Sequence, residues 1–221
     1  MTTRDINTEI KRLASKGEEI TVLNPQARHN LAVGILQPCK IHFKGSVGYF
    51  CAGICDGPYV TIEGNAGWAL GENLMSGQII LKKNAGTSAG CSIRGGEILI
   101  EGNTSSRAGI SMKGGTLIVC GNSGFLTGFM MQKGAIIVCG DVGDAAGDSM
   151  YEGVIYVGGK IGSLGNDAKI EEVSSTGLRF IERSLKKFGK TPNYDWKKIV
   201  SAKRLYHYDA LETLEKGRIQ V

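Results

Sequence analysis

Glycine recurs in this chain with a period of 19 residues from Gly45 to Gly162, and only Lys83 and Ser105 interrupt the two series that begin at Gly45 and Gly48. No insertion or deletion interrupts the count between Gly45 and Gly162. A fixed period of this length is typical of a solenoid, in which each repeat forms one turn stacked on the turn before it. The glycines that we expect to be structural are Gly64, Gly67, Gly71, Gly77, Gly121, Gly124, Gly128 and Gly134.

A short apolar segment follows the last glycine of each repeat and predicts a β-strand. These segments are rich in β-branched residues and are bounded by glycine, which is the usual signature of a strand. In the register of the repeat, the predicted strands cover residues 40–44, 59–63, 78–82, 97–101, 116–120, 135–139 and 154–158.

Two positions of each predicted strand are apolar in all seven repeats. The first set is Ile41, Val60, Ile79, Ile98, Leu117, Ile136 and Ile155. The second set, two residues later, is Phe43, Ile62, Leu81, Ile100, Val119, Val138 and Val157. Residues two apart on a strand face the same side, so both sets are expected to line an interior. One repeat is too short to hold a crossover helix as well as a strand and its loops. The sequence therefore predicts an all-β fold, a right-handed parallel β-helix of about seven coils stacked ~4.8 Å apart.

The strand position between the two inward sets is also apolar in most repeats. It holds Ile80, Leu99, Ile118, Ile137 and Tyr156. An apolar column on an outer face is expected to be covered. Either a helix of the C-terminal segment or a partner subunit would cover it, so these five residues are candidate interface residues.

Other repeat positions predict further ladders along the coil. Stacked asparagine amides can hydrogen-bond from one coil to the next, and asparagine tolerates the left-handed backbone of tight corners. This ladder would consist of Asn65, Asn84, Asn103 and Asn122, continued by Asp141. A second interior wall is expected from the apolar column of Leu74, Ile93, Met112, Met131 and Met150.

Both ends of the chain depart from the repeat, which divides it into three parts. Residues 1–38 predict a cap, with a helix that begins at Asp5 as N-cap and ends at Gly17, followed by a strand at residues 21–23. Residues 39–165 form the β-helix. Residues 166–221 predict a helical, basic extension, with one helix face marked by Leu178, Ile181, Leu185 and Phe188.

Composition and the N-terminal sequence narrow the cellular setting. No apolar run reaches the ~18 residues of a membrane helix, and the polar N-terminus does not read as a secretory signal. We therefore expect a cytoplasmic protein that does not bind a membrane. The net charge is +5, but no basic stripe with interleaved aromatic residues occurs, which disfavours nucleic-acid binding.

Residues that could carry chemistry are scattered. Six cysteines show no Cys-x-x-Cys pair, although Cys120 and Cys139 share a column and are expected to lie close together on adjacent coils. The acids at positions 141, 144 and 148 are a weak cation site, since acids in glycine-rich loops are more often turn formers. We assign no catalytic, cofactor-binding or metal-binding residue.

The repeated Gly-x-x-Gly-x-x-x-Gly pattern resembles the GXGXG domain, the β-helix at the C-terminal end of the large glutamate synthase subunit. A similar domain occurs in the C subunit of formylmethanofuran dehydrogenase. Residues 24–34, 48–53, 108–114, 147–152 and 197–200 also resemble the stand-alone β-helix subunit of N-methylglutamate synthase and of split glutamate synthases. The resemblance covers nearly the whole chain.

The resemblance implies a structural subunit without an active site of its own. It would join a glutaminase-like amidotransferase subunit to a barrel synthase subunit that binds FMN and an iron–sulfur cluster, within a hetero-oligomer. No cofactor is expected on this chain. Arg28 and His29, in the N-terminal segment that carries the resemblance, are further candidate interface residues. The alternative is the structural subunit of a formylmethanofuran dehydrogenase. An independent enzyme with a groove on the β-helix is disfavoured because the charged column 44, 63, 82, 101 alternates in sign.

Overall fold

Eight parallel strands stack one upon the next in chain order and form the body of the protein. The structure is a computed structural model, and it describes residues 1–191 and 194–203. Within these residues the strands are β1 (Glu19–Leu23), β2 (Lys40–Lys44), β3 (Asp56–Ile62), β4 (Ser76–Leu81), β5 (Glu97–Ile100), β6 (Lys113–Val119), β7 (Lys133–Val138) and β8 (Val154–Val157). The predicted parallel β-solenoid of about seven coils is confirmed.

The register of the sheet reproduces the sequence period. Ile79 pairs with Val60 on one side and with Ile98 on the other, so each step along the stack is one full repeat. The first step differs, because Glu19 pairs with Lys40 rather than with Pro38, the residue that one repeat would reach. The predicted strand at residues 21–23 is therefore the end of a first coil, whose length departs from the repeat.

Two strands begin three residues earlier than the repeat predicts. β3 starts at Asp56 and β6 at Lys113, and the pairing of each with the next strand shifts register before Tyr59 or Thr116. A β-bulge bends a strand locally and leaves a residue unpaired. The bends lie at the glycine-containing corners, and an apolar pattern does not report them.

Both inward sets of strand residues are buried, as predicted. They merge into one core with the second wall, from Leu74 to Met150, which is also confirmed as interior. Burial of methionine at three successive coils suits this wall, since an unbranched side chain adapts to small differences between coils.

The asparagine ladder is confirmed, with one difference in its chemistry. The side-chain Oδ1 of Asn84 accepts a hydrogen bond from the backbone N–H of Asn103 at 2.8 Å, and Asn103 does the same for Asn122 at 2.7 Å. Direct amide-to-amide contacts are longer, at 3.3 to 3.5 Å. The prediction of a left-handed backbone is wrong for the asparagines of this ladder, because the residues with positive φ angles lie at other positions of the repeat.

Left-handed residues cluster instead at one corner, at three alternate positions of each coil. In one coil they are Ala69, Gly71 and Asn73, with φ between +54° and +68°. The N–H groups of Ala69 and Asn73 donate to the next coil and that of Gly71 donates to the previous coil, each at 2.9 Å. Because left-handed residues alternate with others, the backbone of this corner hydrogen-bonds to both neighbouring coils. These hydrogen bonds offset the cost of the left-handed conformation, which is ~1–2 kcal/mol for each non-glycine residue.

Replacing Asn103 with alanine tests the ladder. The N–H of Asn122 loses its acceptor, and we expect the free energy of unfolding to fall by about 1 kcal/mol. Asn103→Asp keeps an acceptor, as Asp141 does naturally for the N–H of Lys160 at 2.7 Å, and should lose less than half as much. Chemical denaturation of the two variants provides the measurement, and equal losses would contradict the role of Oδ1.

The N-terminal helix α1 (Thr3–Ala14) lies against the first coil through Ile10 and Ala14. Its N-cap is Thr2, so the prediction of Asp5 is wrong. Thr2 Oγ1 accepts the N–H of Asp5 at 3.2 Å, and the Asp5 carboxylate accepts the N–H of Thr2 at 2.7 Å. This reciprocal capping box places the acid at the third helical residue rather than at the cap.

The C-terminal extension contains the predicted helix and two strands that were not predicted. Helix α2 (Ser175–Lys186) lies between β9 (Ala168–Glu171) and β10 (Lys197–Ser201) in sequence. β10 runs antiparallel to both β8 and β9, and it closes the end of the stack in the order β8-β10-β9. The distal part of the predicted basic extension falls largely in residues 204–221, outside the described residues.

Candidate assembly surface

Helix α2 covers the outer apolar column. Ile181 and Leu185 of the helix form one buried cluster with the column residues Leu99, Ile118 and Ile137. Tyr156 is also buried there, and Ile80 packs at the edge. Of the two covers considered for this column, the chain's own helix is the one present. The five column residues therefore contact the protein itself.

Ion pairs fix the C-terminal end of α2 to the sheet. Lys187 pairs with Glu97, and Lys190 Nζ lies 3.3 Å from Glu101 Oε1. Lys82 approaches the same carboxylate at 3.0 Å. Partial burial disfavours the Glu101 carboxylate, but hydrogen bonds from the two lysines outweigh this effect and lower its pKa. Glu101 of the alternating charged column thus pairs both with Lys82 of the same column and with Lys190 of the C-terminal extension.

On another part of the surface, three aromatic rings stack along successive coils. The ring centroids of His29 and Tyr49 are 4.3 Å apart, and those of Tyr49 and Trp68 are 4.9 Å apart. We call these three residues the aromatic column. Tyr49 is 38% exposed and Trp68 is 54% exposed. Large aromatic side chains with this exposure are typical of surfaces that bind another protein.

Backbone geometry holds the column in place. The N–H of Tyr49 donates a hydrogen bond to His29 Nδ1 at 2.8 Å, which fixes the orientation of the imidazole ring. Gly86 leaves room for the Trp68 ring, because an added Cβ would lie 2.8 Å from its Cδ1 atom. Gly67, one of the predicted structural glycines, leaves room for the Tyr49 ring in the same way. Some glycines of the repeat thus shape the surface as well as the coil.

Further exposed apolar side chains lie near Tyr49 in sequence. Phe50 and Ile54 lie on the coil of Tyr49 and are both exposed. Arg28 hydrogen-bonds the backbone oxygen of Met1 at 2.7 Å and so ties the N-terminus to this region. Of the interface residues predicted from the sequence, His29 is in the column and Arg28 is its neighbour. Tyr49 and Trp68 were missed, although they lie one repeat apart and their spacing was visible.

Comparison with known proteins places the fold in a family. Residues 21–199 match the family model described as "GXGXG motif", which covers well over half of the chain. The chain belongs to the GXGXG motif family. Its sequence is also similar to Protein GlxC of Rhizobium meliloti (strain 1021), at 39% identity over 79 residues. This stretch is 35% of the chain and 35% of GlxC, so the match spans about a third of that relative.

Two of the three acids weighed as a cation site, Asp141 and Asp148, have structural partners in this GXGXG chain. Asp141 continues the asparagine ladder, and Asp148 accepts hydrogen bonds from Ser149 Oγ at 2.7 Å and from Asn166 at 3.0 Å. Residues 1–191 and 194–203 contain no group of three or more His, Cys, Asp or Glu side chains placed to hold a metal ion. In the same ranges no helix is long and apolar enough to cross a bilayer.

The cysteines fall into two environments. Cys51 and Cys55 are buried beneath the first coils, where burial raises the pKa of Cys55 to about 11 and raises that of Cys51 further. Cys120 and Cys139 lie on adjacent coils, directly after the paired residues Val119 and Val138, and their interaction lowers the pKa of Cys120 and raises that of Cys139. The expected proximity of this second pair is confirmed.

Proposed function

We propose that this GXGXG chain is a structural subunit of a glutamate synthase-type complex and carries no active site of its own. It would join a glutaminase-like amidotransferase subunit to a synthase subunit that binds FMN and an iron–sulfur cluster. The observation that carries the proposal is the exposed aromatic column on the solenoid. The solenoid belongs to the family whose domain occurs in glutamate synthase.

The outer apolar column offers no comparable surface. Its residues are buried under α2, and a partner could reach them only by displacing a helix that is held by Ile181, Leu185 and two ion pairs. The aromatic column needs no such rearrangement. Exposed Trp and Tyr side chains carry a large share of binding energy at protein interfaces, so the proposal assigns the partner contact to this part of the solenoid.

Co-purification tests the assembly. The full chain, tagged and expressed in its native host, should retain a flavin-containing subunit and a glutaminase-like subunit at fixed stoichiometry. Retention of a molybdopterin subunit instead would contradict the proposal and point to a formylmethanofuran dehydrogenase. Ammonia release from glutamine by the isolated chain would also contradict it.

The amino donor is set by the partners, and we propose methylamine for it, on the resemblance to the stand-alone subunit of N-methylglutamate synthase. The purified complex should be supplied first with methylamine and glutamate, and separately with glutamine, 2-oxoglutarate and a reductant. Formation of N-methylglutamate supports the proposal. Formation of glutamate alone would place the complex with the split glutamate synthases.

Replacing Trp68 with alanine tests the surface. We expect the affinity for the partner subunits to fall by about 30-fold, since an interface hot spot contributes ~2 kcal/mol. Phe125→Ala is the matched control, because Phe125 occupies the same repeat position three coils away and is also exposed. The affinity of the Phe125→Ala variant for the partner subunits should stay within about twofold of that of the unchanged protein. Equal losses in titrations of the two variants would argue against the aromatic column as the contact.

A further inference from the structure

Cys120 and Cys139 continue the pairing of two neighbouring strands. Val119 of β6 pairs with Val138 of β7, and each cysteine follows directly. The backbone N–H of Cys120 donates to Ile100 O and that of Cys139 to Val119 O, both at 2.8 Å, so the ladder includes them. Neighbouring strands lie ~4.8 Å apart, within the Cα separations of ~4.4–6.8 Å that disulfides span. Both side chains belong to the outer apolar cluster with Leu99, Ile118 and Ile137 and not to the interior core, so they lie on the same side of the sheet.

The two thiols differ in their surroundings, which gives them different chemical roles. Cys120 is partly exposed, whereas Cys139 is buried. The neighbouring Cys139 thiol lowers the pKa of Cys120, and the positive charge of Lys190 acts in the same direction. The neighbouring Cys120 thiol and burial both raise the pKa of Cys139. Cys120 is therefore the nucleophile of the pair.

The remaining cysteines lack this combination. Cys39, Cys51 and Cys55 are all buried with raised pKa values, which makes their thiolates scarce and inaccessible. Cys91 is partly exposed, but burial raises its pKa and its side chain contacts the Ser92 hydroxyl. The structure thus separates one reactive pair from thiols that serve as packing.

We propose that Cys120 and Cys139 are a reversible oxidation site, at which hydrogen peroxide joins adjacent coils by a disulfide. The Cys120 thiolate attacks one peroxide oxygen, the O–O bond breaks, and the leaving hydroxide takes a proton to become water. The resulting Cys120 sulfenic acid is attacked by the Cys139 sulfur, which loses its proton as the S–O bond breaks and a second water leaves. In total, two thiols and one peroxide give one disulfide and two waters. A small-molecule dithiol reverses the reaction by exchange.

Trypsin makes the product directly measurable. Cleavage after Lys113, Lys133 and Lys160 places Cys120 and Cys139 in neighbouring peptides with one cysteine each. The full chain is treated with hydrogen peroxide, alkylated under denaturing conditions and digested without reduction. We expect the two peptides to appear as one linked species lighter by two hydrogens, and the alkylated thiols to fall from six to four per chain. A dithiol should restore all six.

Three single variants provide the controls. Cys139→Ser should abolish the linked species and leave Cys120 as a sulfenic acid that dimedone traps. Cys120→Ser should leave Cys139 reduced at the same peroxide dose. Cys91→Ser should form the linked species as the parent does. The proposal is overturned if Cys120 and Cys139 remain alkylated while other thiols oxidise, or if Cys120 links two chains in a dimer on a non-reducing gel.

Discussion

Gly134→Ala is expected to lower the free energy of unfolding by about 4 kcal/mol, the largest effect of any alanine substitution proposed for this protein. Gly134 has φ +100°, a backbone conformation that side chains with a Cβ rarely adopt. An added Cβ would also lie 2.7 Å from the backbone oxygen of Gly114 on the preceding coil. Both penalties apply at once, and urea denaturation monitored by circular dichroism measures their sum.

Two other glycines separate the penalties. Gly121 has no positive φ, but its Cβ would meet Asn103 Oδ1 and lie 2.8 Å from Gly102 O, so Gly121→Ala should cost about 2–3 kcal/mol through these close approaches. Gly17 has φ +71° and no heavy atom within 4 Å of the added Cβ, so Gly17→Ala should cost about 1 kcal/mol. Equal losses at all three sites would contradict the role of coil-to-coil contact.

Ile181→Asp is expected to detach α2 from the solenoid and cost about 4 kcal/mol, since a carboxylate would replace a side chain that is 1% exposed in an apolar cluster. Detachment uncovers Leu99, Ile118 and Ile137, and a contiguous apolar surface of this kind promotes self-association. Dye binding and light scattering should therefore rise together with the loss of stability.

Leu178→Asp is the matched control on the same helix. The sequence places Leu178 on the apolar face with Ile181 and Leu185, but the structure leaves it 47% exposed. Its replacement should change the free energy of unfolding by less than about 0.5 kcal/mol. If Ile181→Asp behaved like Leu178→Asp, the helix would not be the cover of the outer column in solution.

The body of the fold could be predicted because one register governs it. A side chain at Ile79 has the same surroundings as those at Val60 and Ile98, so the apolar columns report the interior directly. The asparagine ladder could be predicted for the same reason. The corner with alternating left-handed residues could not, because Ala69 and Asn73 carry no sign of it and only Gly71 does.

The candidate surface was only partly predictable. Tyr49 and Trp68 obey the spacing of the repeat, but His29 joins them through the first coil, whose step at β1 is longer than one repeat. Helix α2 covers the outer apolar column because of the way in which the C-terminal extension folds, and the short strands β9 and β10 determine that fold. β10 pairs with β8 because the last parallel strand would otherwise present unpaired backbone groups, and so short a strand leaves little periodicity to read.

Because β10 runs antiparallel to β8, the stack of parallel strands does not end in a free parallel edge at this end. A bare parallel strand would template another coil, its own or a neighbour's, and stacked strands of many chains can grow into fibrils in this way. β10 runs against the stack, and β9 beyond it carries Lys169 and Glu171, charges that discourage a further strand. Strands of other molecules are therefore not expected to add beyond β10 and β9. At this end the number of stacked strands is set by the chain itself and does not depend on the protein concentration.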